Sequence, residues 1–212
     1  MYRFELDDRL LEDLAKTIKL ARSAHEGQVD KAGKPYFEHV QAVSEKVSEI
    51  VLSWNEEYDD FLIQAQIVSY LHDVVEDTPL TIDNLWKLQI PVECILAIEI
   101  LTKSEGQAYS DYLAKVKQDK LATVVKIADL NHNSDLSRLD VVTPADLARH
   151  DKYVKAIEFL NGFTCKKCGK SYPLSHRGEK PTRINEILCK PCLEKYEIDY
   201  DEYEDWLKRE RD

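Results

Sequence analysis

Apolar residues recur at every third or fourth position along most of the chain, from about residue 8 to residue 161. The first stripe contains Leu10, Leu14, Ile18 and Ala21, and similar stripes follow in segments 40–51, 61–71, 95–101, 109–116 and 121–136. This spacing places the apolar side chains on one face of a helix. No convincing strand-like alternation of apolar and polar residues occurs in this region. The pattern predicts an all-α domain of about eight helices.

Turn and capping residues indicate where several helices begin and end. Pro79 would end the helix that continues from the stripe at 61–71 through residue 78, and Thr81 is suited to cap the next helix. The pair Thr143-Pro144 has the form of an N-cap followed by a proline at the first helical position. This last helix is predicted to run to Leu160, with Asn161-Gly162 as its stop.

Charge divides the chain into three segments. Residues 1–162 carry a net charge of −11, residues 163–193 a net charge of +5, and residues 194–212 a net charge of −5. We therefore expect a helical domain at 1–162, a small basic module at 163–193 and an acidic, helical tail at 194–212. The overall charge of −11 argues against a general nucleic-acid binder, since phosphate binding requires a basic face.

The composition excludes two further classes of protein. With 43% hydrophobic residues the chain is expected to form a core, so disorder throughout is excluded. The N-terminal segment has no basic stretch followed by an apolar run, and no apolar run approaches about 18 residues. The expected location is therefore the cytoplasm, without a membrane-spanning segment.

Four of the five cysteines form two C-x-x-C pairs near the C-terminus, with twenty residues between the pairs: Cys165, Cys168, Cys189 and Cys192. In a chain with no export signal this spacing predicts a tetrahedral Zn²⁺ site, and four thiolates leave no open position for a substrate. The site is expected to be structural. The basic module could contact nucleic acid, a protein partner or its own chain, and we favour packing or homo-oligomer contacts. Cys94 lies in an apolar stretch and is expected to be a buried thiol.

The segment LHDVVEDT, residues 71–78, alternates acids and a histidine with two valines. On a helix, His72 would share a face with Glu76, and Asp73 with Asp77. Several acids in a partly buried segment are costly unless a cation lies nearby. A metal ion meets that condition, whereas the alternative is an exposed helix end with ordinary surface acids.

Two further polar residues occur in otherwise apolar helical segments. His39 lies just inside the start of a helix, and Asp129 is flanked by Ile127, Ala128 and Leu130. A carboxylate in such a segment is expected to ligate or to pair. His39, His72, Asp73 and Asp129 together would form a mixed nitrogen and oxygen site that suits Mn²⁺, Fe²⁺ or Zn²⁺, and spacing alone does not choose among these metals.

The order of these motifs resembles that of the HD-domain metal-dependent phosphohydrolases, and in particular the RelA/SpoT-type alarmone hydrolase domain. Residues 24–39 read AHEGQVDKAGKPYFEH, which is similar to the family pattern AHxGQxRKxGxPYxxH. Residues 71–78 match LHDxxEDT, and residues 125–133 read VKIADLNHN, which is similar to VKLADxxxN. The three motifs occur in the family's order, between about residues 20 and 160.

The resemblance implies a function and a cofactor. A family member of this kind removes the 3′-pyrophosphate of (p)ppGpp with a single Mn²⁺, which His39, His72, Asp73 and Asp129 would bind. Glu76 and Asp77 would orient and deprotonate the attacking water. The small alarmone hydrolases have a similar size and no synthetase domain. The implied partner is a nucleotide substrate.

Further residues are candidates for substrate binding. Lys31 could contact a phosphate or the base, although a solvated loop lysine is an equal alternative. Asn133 matches a family asparagine near the nucleoside. Residues of the last helix could close over the substrate, although a solvated face is the simpler interpretation: Arg149, Lys152 and Tyr153. His25 could support the site or be a satisfied packed histidine, and His132 could also face the pocket.

The chain departs from the family pattern at three positions. Asp30 replaces an arginine before Lys31, Leu130 replaces a residue that is often basic, and Val40 replaces a proline. The change at Asp30 removes a guanidinium that could stack on a purine. Hydrolysis of another nucleotide, such as ppApp or NADPH, is therefore an alternative. An alternative of a different class is a module that senses nucleotides or binds a partner through its zinc site without turnover.

Overall fold

The computed structural model describes residues 8–54, 60–165, 167–177 and 189–192. The chain divides into two compact units, Met1–Leu160 and Asn161–Asp212. The acidic tail predicted at 194–212 lies outside the described residues. Within the described ranges, no helix combines the length and the apolar character needed to cross a membrane.

The first unit is all-α, as the apolar stripes predict. Its described residues form one short 3-10 helix, Leu136–Arg138, and nine α-helices: α1 Asp8–Ala24, α2 Tyr36–Leu52, α3 Asp60–Leu71, α4 Val74–Asp77, α5 Ile82–Lys87, α6 Val92–Leu101, α7 Tyr109–Val116, α8 Lys120–Ser134 and α9 Pro144–Leu160.

Helix α3 lies at the centre of this unit and packs against α1, α2, α6 and α8. The helix has buried side chains on several faces. The fully buried ones include Leu62, Ile63, Ile67 and Leu71. A helix that is apolar around most of its circumference is typical of a core position. Helix α3 therefore holds its C-terminal end, where the LHDVVEDT motif begins, inside the protein.

Two helix starts that the sequence indicates are confirmed. Thr81 caps α5 in a capping box, in which its side chain accepts from the backbone N–H of Asn84. Helix α9 begins at Pro144, and the Thr143 hydroxyl donates to Asp146 Oδ2 over 2.6 Å while the Asp146 N–H bonds back to that hydroxyl. Helix α9 also ends at Leu160, as predicted.

The prediction of one continuous helix through LHDVVEDT is wrong. Helix α3 ends at Leu71, His72 and Asp73 form a turn, and α4 begins at Val74. In a continuous helix, adjacent residues point about 100° apart. The turn instead brings the His72 and Asp73 side chains to within 3.0 Å of each other. The break therefore allows two consecutive residues to face one site.

The second unit contains a short antiparallel hairpin, β1 Gly162–Thr164 paired with β2 Ser171–Pro173. The first C-x-x-C pair lies in the connection between the strands. There the backbone carbonyl of Cys165 accepts from the N–H of Gly169 over 2.8 Å. Gly169 has a φ of +69°, a conformation that glycine adopts without a side-chain penalty.

Candidate active site

Four side chains from separate parts of the first unit converge in its interior. His39 comes from α2, His72 and Asp73 from the turn after α3, and Asp129 from α8. Ligand atoms of His39, His72 and Asp129 all lie within 4.8 Å of one another. Asp73 Oδ2 lies 3.6 Å from His39 Nε2 and 3.0 Å from His72 Nε2. The four residues predicted as metal ligands are therefore neighbours.

The hydrogen bonds of the histidines leave their Nε2 atoms directed at this cluster. His72 Nδ1 bonds to the backbone carbonyl of Ser69 over 2.7 Å, so Nδ1 carries the proton in that bond. Among the described residues, His72 Nε2 is buried without a hydrogen-bond partner. A buried ring nitrogen without a partner, beside two carboxylates and a second imidazole, is suited to a metal ion.

The electrostatics of the cluster also favour a cation. Although burial alone would lower it, the pKa of His72 is raised to about 10 by Asp73 and Asp129. Burial alone would raise the pKa of Asp73, but His72 and His39 hold it well below its usual range. The carboxylates therefore stay ionised and stabilise positive charge between the imidazoles. The residues present fit a divalent metal that accepts nitrogen and oxygen ligands.

Lys126 is a contact of the site that the sequence did not single out. Its side chain is 17% exposed, and its Nζ donates to Asp129 Oδ2 over 2.8 Å. Asp129 Oδ1 remains directed at His39 and accepts from Asn133 Nδ2 over 2.5 Å. The spacing of three between Lys126 and Asp129, which places them on one helix face, was the signal that could have identified this pair.

The acidic pair of the LHDVVEDT motif lies at the exposed edge of the site. The Glu76 carboxylate accepts a short hydrogen bond from the backbone N–H of Lys103, and burial together with Asp73 raises the pKa of Glu76 despite that bond. The hydroxyl of Tyr36 donates to Asp73 Oδ2 over 2.5 Å and lies 3.2 Å from Asp77 Oδ2. Tyr36, three residues before His39 in the first motif, is a second contact that the sequence analysis missed.

A cavity of about 260 Å³ opens beside the cluster, and His39 and Tyr36 form part of its wall. Several of the predicted substrate contacts line it: Lys31, Asn133, Arg149 and Tyr153. Lys152 is not among the described residues that line this cavity, and its Nζ instead lies 3.9 Å from the centre of the Tyr109 ring.

His25 is buried and supports the edge of the site. Its Nδ1 bonds to Gln28 Oε1 over 2.7 Å, and Gln28 Nε2 donates to the backbone carbonyl of Asp77 over 2.7 Å. The His25 ring also packs against Tyr36, with 4.8 Å between the ring centres. These contacts make His25 a packed supporting residue of the Asp77 segment.

The wall of the cavity contains an ion pair between residues that are far apart in sequence. Arg138 Nη2 donates to Asp30 Oδ2 in a short contact, and the two side chains are 24% and 9% exposed. Asp30 is the position where the family pattern has arginine. A guanidinium is thus present at this wall, although residue 138 supplies it.

The second unit contains a separate cluster. The four predicted cysteines are brought together, with a thiol sulfur from each within 4.8 Å of the others. Cys168 Sγ lies 4.0 Å from Cys189 Sγ. Four sulfurs around a tetrahedral Zn²⁺, each at about 2.3 Å from it, would be about 3.8 Å apart, so the arrangement fits that metal.

Known proteins are similar to this chain in sequence and in fold. The bifunctional (p)ppGpp synthase/hydrolase SpoT of Escherichia coli is 30% identical over 152 aligned positions, which cover 63% of this chain and 20% of that protein. The guanosine-3′,5′-bis(diphosphate) 3′-pyrophosphohydrolase of Haemophilus influenzae is 28% identical over 124 positions, which cover 54% and 17% of the two chains. The chain thus spans about a fifth of the length of these relatives. No protein-family model matches it.

A solved structure of a metazoan SpoT ortholog, described as hydrolysing ppGpp, superposes with a TM-score of 0.56 at 21% identity. The superposition covers 77% of this chain and 89% of that one. This chain has the fold of that SpoT ortholog. The resemblance inferred from the three motifs is therefore confirmed.

Proposed function

We propose that the protein is a metal-dependent pyrophosphohydrolase that removes the 3′-pyrophosphate from guanosine alarmones, (p)ppGpp. The observation that carries the proposal is the convergence of His39, His72, Asp73 and Asp129 beside a cavity with basic side chains, within a SpoT-type fold. The names of the sequence relatives support the choice of substrate.

Mn²⁺ is the proposed metal, held by the two imidazole Nε2 atoms and the carboxylates of Asp73 and Asp129. A bound divalent cation would lower the pKa of a coordinated water and neutralise charge on the phosphoryl oxygens. Asp129 reaches the cluster with one carboxylate oxygen because Lys126 and Asn133 hold it in place. Ser69 fixes the orientation of the His72 ring in the same way.

Glu76 is the proposed proton acceptor. Its raised pKa brings its basicity closer to neutral pH, where general-base catalysis is most effective. Asp77, with Tyr36 and Gln28 near its carboxylate and its backbone carbonyl, is proposed to orient the attacking water. The water adds to the phosphorus bonded to ribose O3′, that P–O bond breaks, O3′ takes up a proton and pyrophosphate leaves.

The cavity is proposed to hold the nucleotide. Lys31 and Arg149 supply positive charge for phosphates, and Tyr153 supplies an aromatic face for stacking. Asn133 is proposed to act mainly through Asp129, to which it donates. Lys152 is proposed to bind substrate only if it leaves the Tyr109 ring.

The test is product analysis of the purified protein with Mn²⁺ and ppGpp, pppGpp, ppApp or NADPH, with Asp73→Ala as the blank. Release of pyrophosphate from a guanosine alarmone, and its loss in the blank, would support the proposal. Turnover of only ppApp or NADPH would keep the metal chemistry and replace the substrate. Tight alarmone binding with no turnover would favour the sensor.

The four cysteines of the second unit are proposed to bind one structural Zn²⁺. Because four thiolates fill the tetrahedral coordination of Zn²⁺, no coordination position remains open for a substrate. The metal would therefore stabilise the hairpin connection. Homo-oligomer formation and contacts of this basic module with protein or nucleic acid stay predictions.

A further inference from the structure

A continuous series of hydrogen bonds joins the cavity wall to the metal cluster. Asp30 accepts from Arg138 Nη2, and Arg138 Nη1 lies 3.1 Å from His132 Nδ1 and 3.0 Å from the His132 carbonyl oxygen. His132 Nδ1 in turn lies 2.8 Å from His39 Nδ1. We name these four residues, Asp30, Arg138, His132 and His39, the wall-to-metal chain.

Arg138 determines which atoms donate and which accept along the wall-to-metal chain. A guanidinium can only donate hydrogen bonds. His132 Nδ1 must therefore accept from Arg138 and cannot carry a proton itself. The short contact between the two histidines then requires that His39 Nδ1 carries the proton and donates, so that His39 and Arg138 share the single lone pair of His132 Nδ1 in a three-centre hydrogen bond. A neutral imidazole with its proton on Nδ1 presents the lone pair of Nε2, the atom that faces Asp73 and Asp129.

We propose that Arg138 is a positioning residue for the metal site, because it fixes His132 as an acceptor and thereby sets His39 in the tautomer whose Nε2 binds the metal. The inference rests on the proposed function for the presence of the metal, but not for the identity of the substrate. It assigns Asp30 and Arg138 a task at the metal rather than at the nucleobase alone.

Asp30 is built to hold Arg138 in place. Its other carboxylate oxygen, Oδ1, accepts from the backbone N–H groups of Ala32 and Lys34, each over 2.9 Å. The Asp30 backbone N–H donates to the Lys34 carbonyl over 2.8 Å. The carboxylate is therefore anchored on one side by its own loop and presents only Oδ2 to the guanidinium.

The wall-to-metal chain and simple electrostatics predict opposite changes in metal affinity when Arg138 is replaced by a neutral residue. Removing a positive charge near a cation site would, by Coulomb attraction alone, tighten the binding of a divalent metal. Loss of a hydrogen bond that orients a ligating histidine instead weakens metal binding, by about 10- to 100-fold in general. The sign of the change in Mn²⁺ affinity therefore separates the two explanations.

The experiment measures the dissociation constant of Mn²⁺ alone, from the electron paramagnetic resonance signal of free Mn²⁺ in titrations of the 212-residue chain. Arg138→Met is expected to weaken binding by about tenfold or more. His132→Leu should weaken it similarly, whereas His132→Asn, whose amide oxygen can still accept, should restore most of the affinity. Lys46→Gln removes an exposed ion pair with Glu49 on the same helix as His39 and serves as the matched control.

Binding of Mn²⁺ by Arg138→Met that is as tight as in the wild type, or tighter, would overturn the inference. Equal affinities of His132→Leu and His132→Asn would do the same, and this second pair keeps the inference open to refutation if Arg138→Met does not fold. Alarmone hydrolysis is measured in parallel. A wild-type protein that binds Mn²⁺ but hydrolyses no alarmone would contradict the proposed function. The Mn²⁺ affinities of the variants would still test the role of Arg138 in the wall-to-metal chain.

Discussion

The ion pair between Lys126 and Asp129 leads to a prediction about stability without metal. Lys126→Met removes the ammonium but keeps a side chain of similar length, so Asp129, whose side chain is 5% exposed, loses the cation that donates to its Oδ2. Removing one partner of a buried ion pair costs about 3–5 kcal/mol. Because Lys126 keeps 17% exposure, we expect the lower end, about 3 kcal/mol. In a domain of this size that corresponds to a melting temperature lower by about 6–12 °C.

Saturating Mn²⁺ should reverse part of this loss. The metal supplies the positive charge that Asp129 lacks in the variant, so the variant is expected to bind Mn²⁺ at least as tightly as the wild type. A tenfold gain in affinity would return about 1.4 kcal/mol of unfolding free energy at saturation. The assay is thermal unfolding followed by circular dichroism, with and without Mn²⁺, after the protein has been treated with a chelator.

The control for this prediction is an ion pair with the same spacing and a different burial. Lys46 and Glu49 are also three residues apart on one helix, but their side chains are 41% and 65% exposed. Lys46→Met should change the free energy of unfolding by no more than about 0.5 kcal/mol. The reasoning is refuted if metal-free Lys126→Met melts within 2 °C, roughly 1 kcal/mol, of the wild type, or no lower than Lys46→Met.

Three further predictions concern pH, zinc and thiol reactivity. Because the pKa of Glu76 is raised, kcat/KM should fall as the pH drops through that pKa and the carboxylate gains a proton, and Glu76→Gln should remove this acidic limb from the pH profile. Cys165→Ser should lower the zinc content, measured by mass spectrometry, from one ion per chain to none, while Mn²⁺ affinity stays within about twofold because the two sites share no ligands. Burial raises the pKa of Cys94, so this thiol should react with a disulfide reagent only at the rate of unfolding, and rapid reaction in the folded protein would contradict its buried position.

The sequence was most informative where a polar residue interrupts an apolar helix. His39, His72 and Asp129 each lie among residues that pack in the core, and the structure brings all three together. Their burial is costly without a partner, so their positions alone indicate a shared purpose. The same reasoning located the four cysteines, because the spacing of their pairs is local information.

Contacts between distant segments could not be predicted in this way. Arg138 and Asp30 are separated by 108 positions, and both are of residue types that usually lie on the surface. The turn at His72 and Asp73 was also missed, because the segment has no glycine or proline that would indicate a break. The turn is accompanied by a contact with a distant helix, because Tyr36 of α2 donates to Asp73, and the sequence around His72 carries no sign of that contact.

The pairing of Asp30 with Arg138 has a consequence for protein engineering and for evolution, because a substitution at one position affects the other. An attempt to restore the family arginine by Asp30→Arg alone would place two guanidinium groups against each other at a nearly buried position. Arg138→Asp alone would oppose two carboxylates there. Each single variant therefore places two like charges in contact, whereas the exchange of both residues keeps an ion pair. Residues 30 and 138 are thus expected to be epistatic.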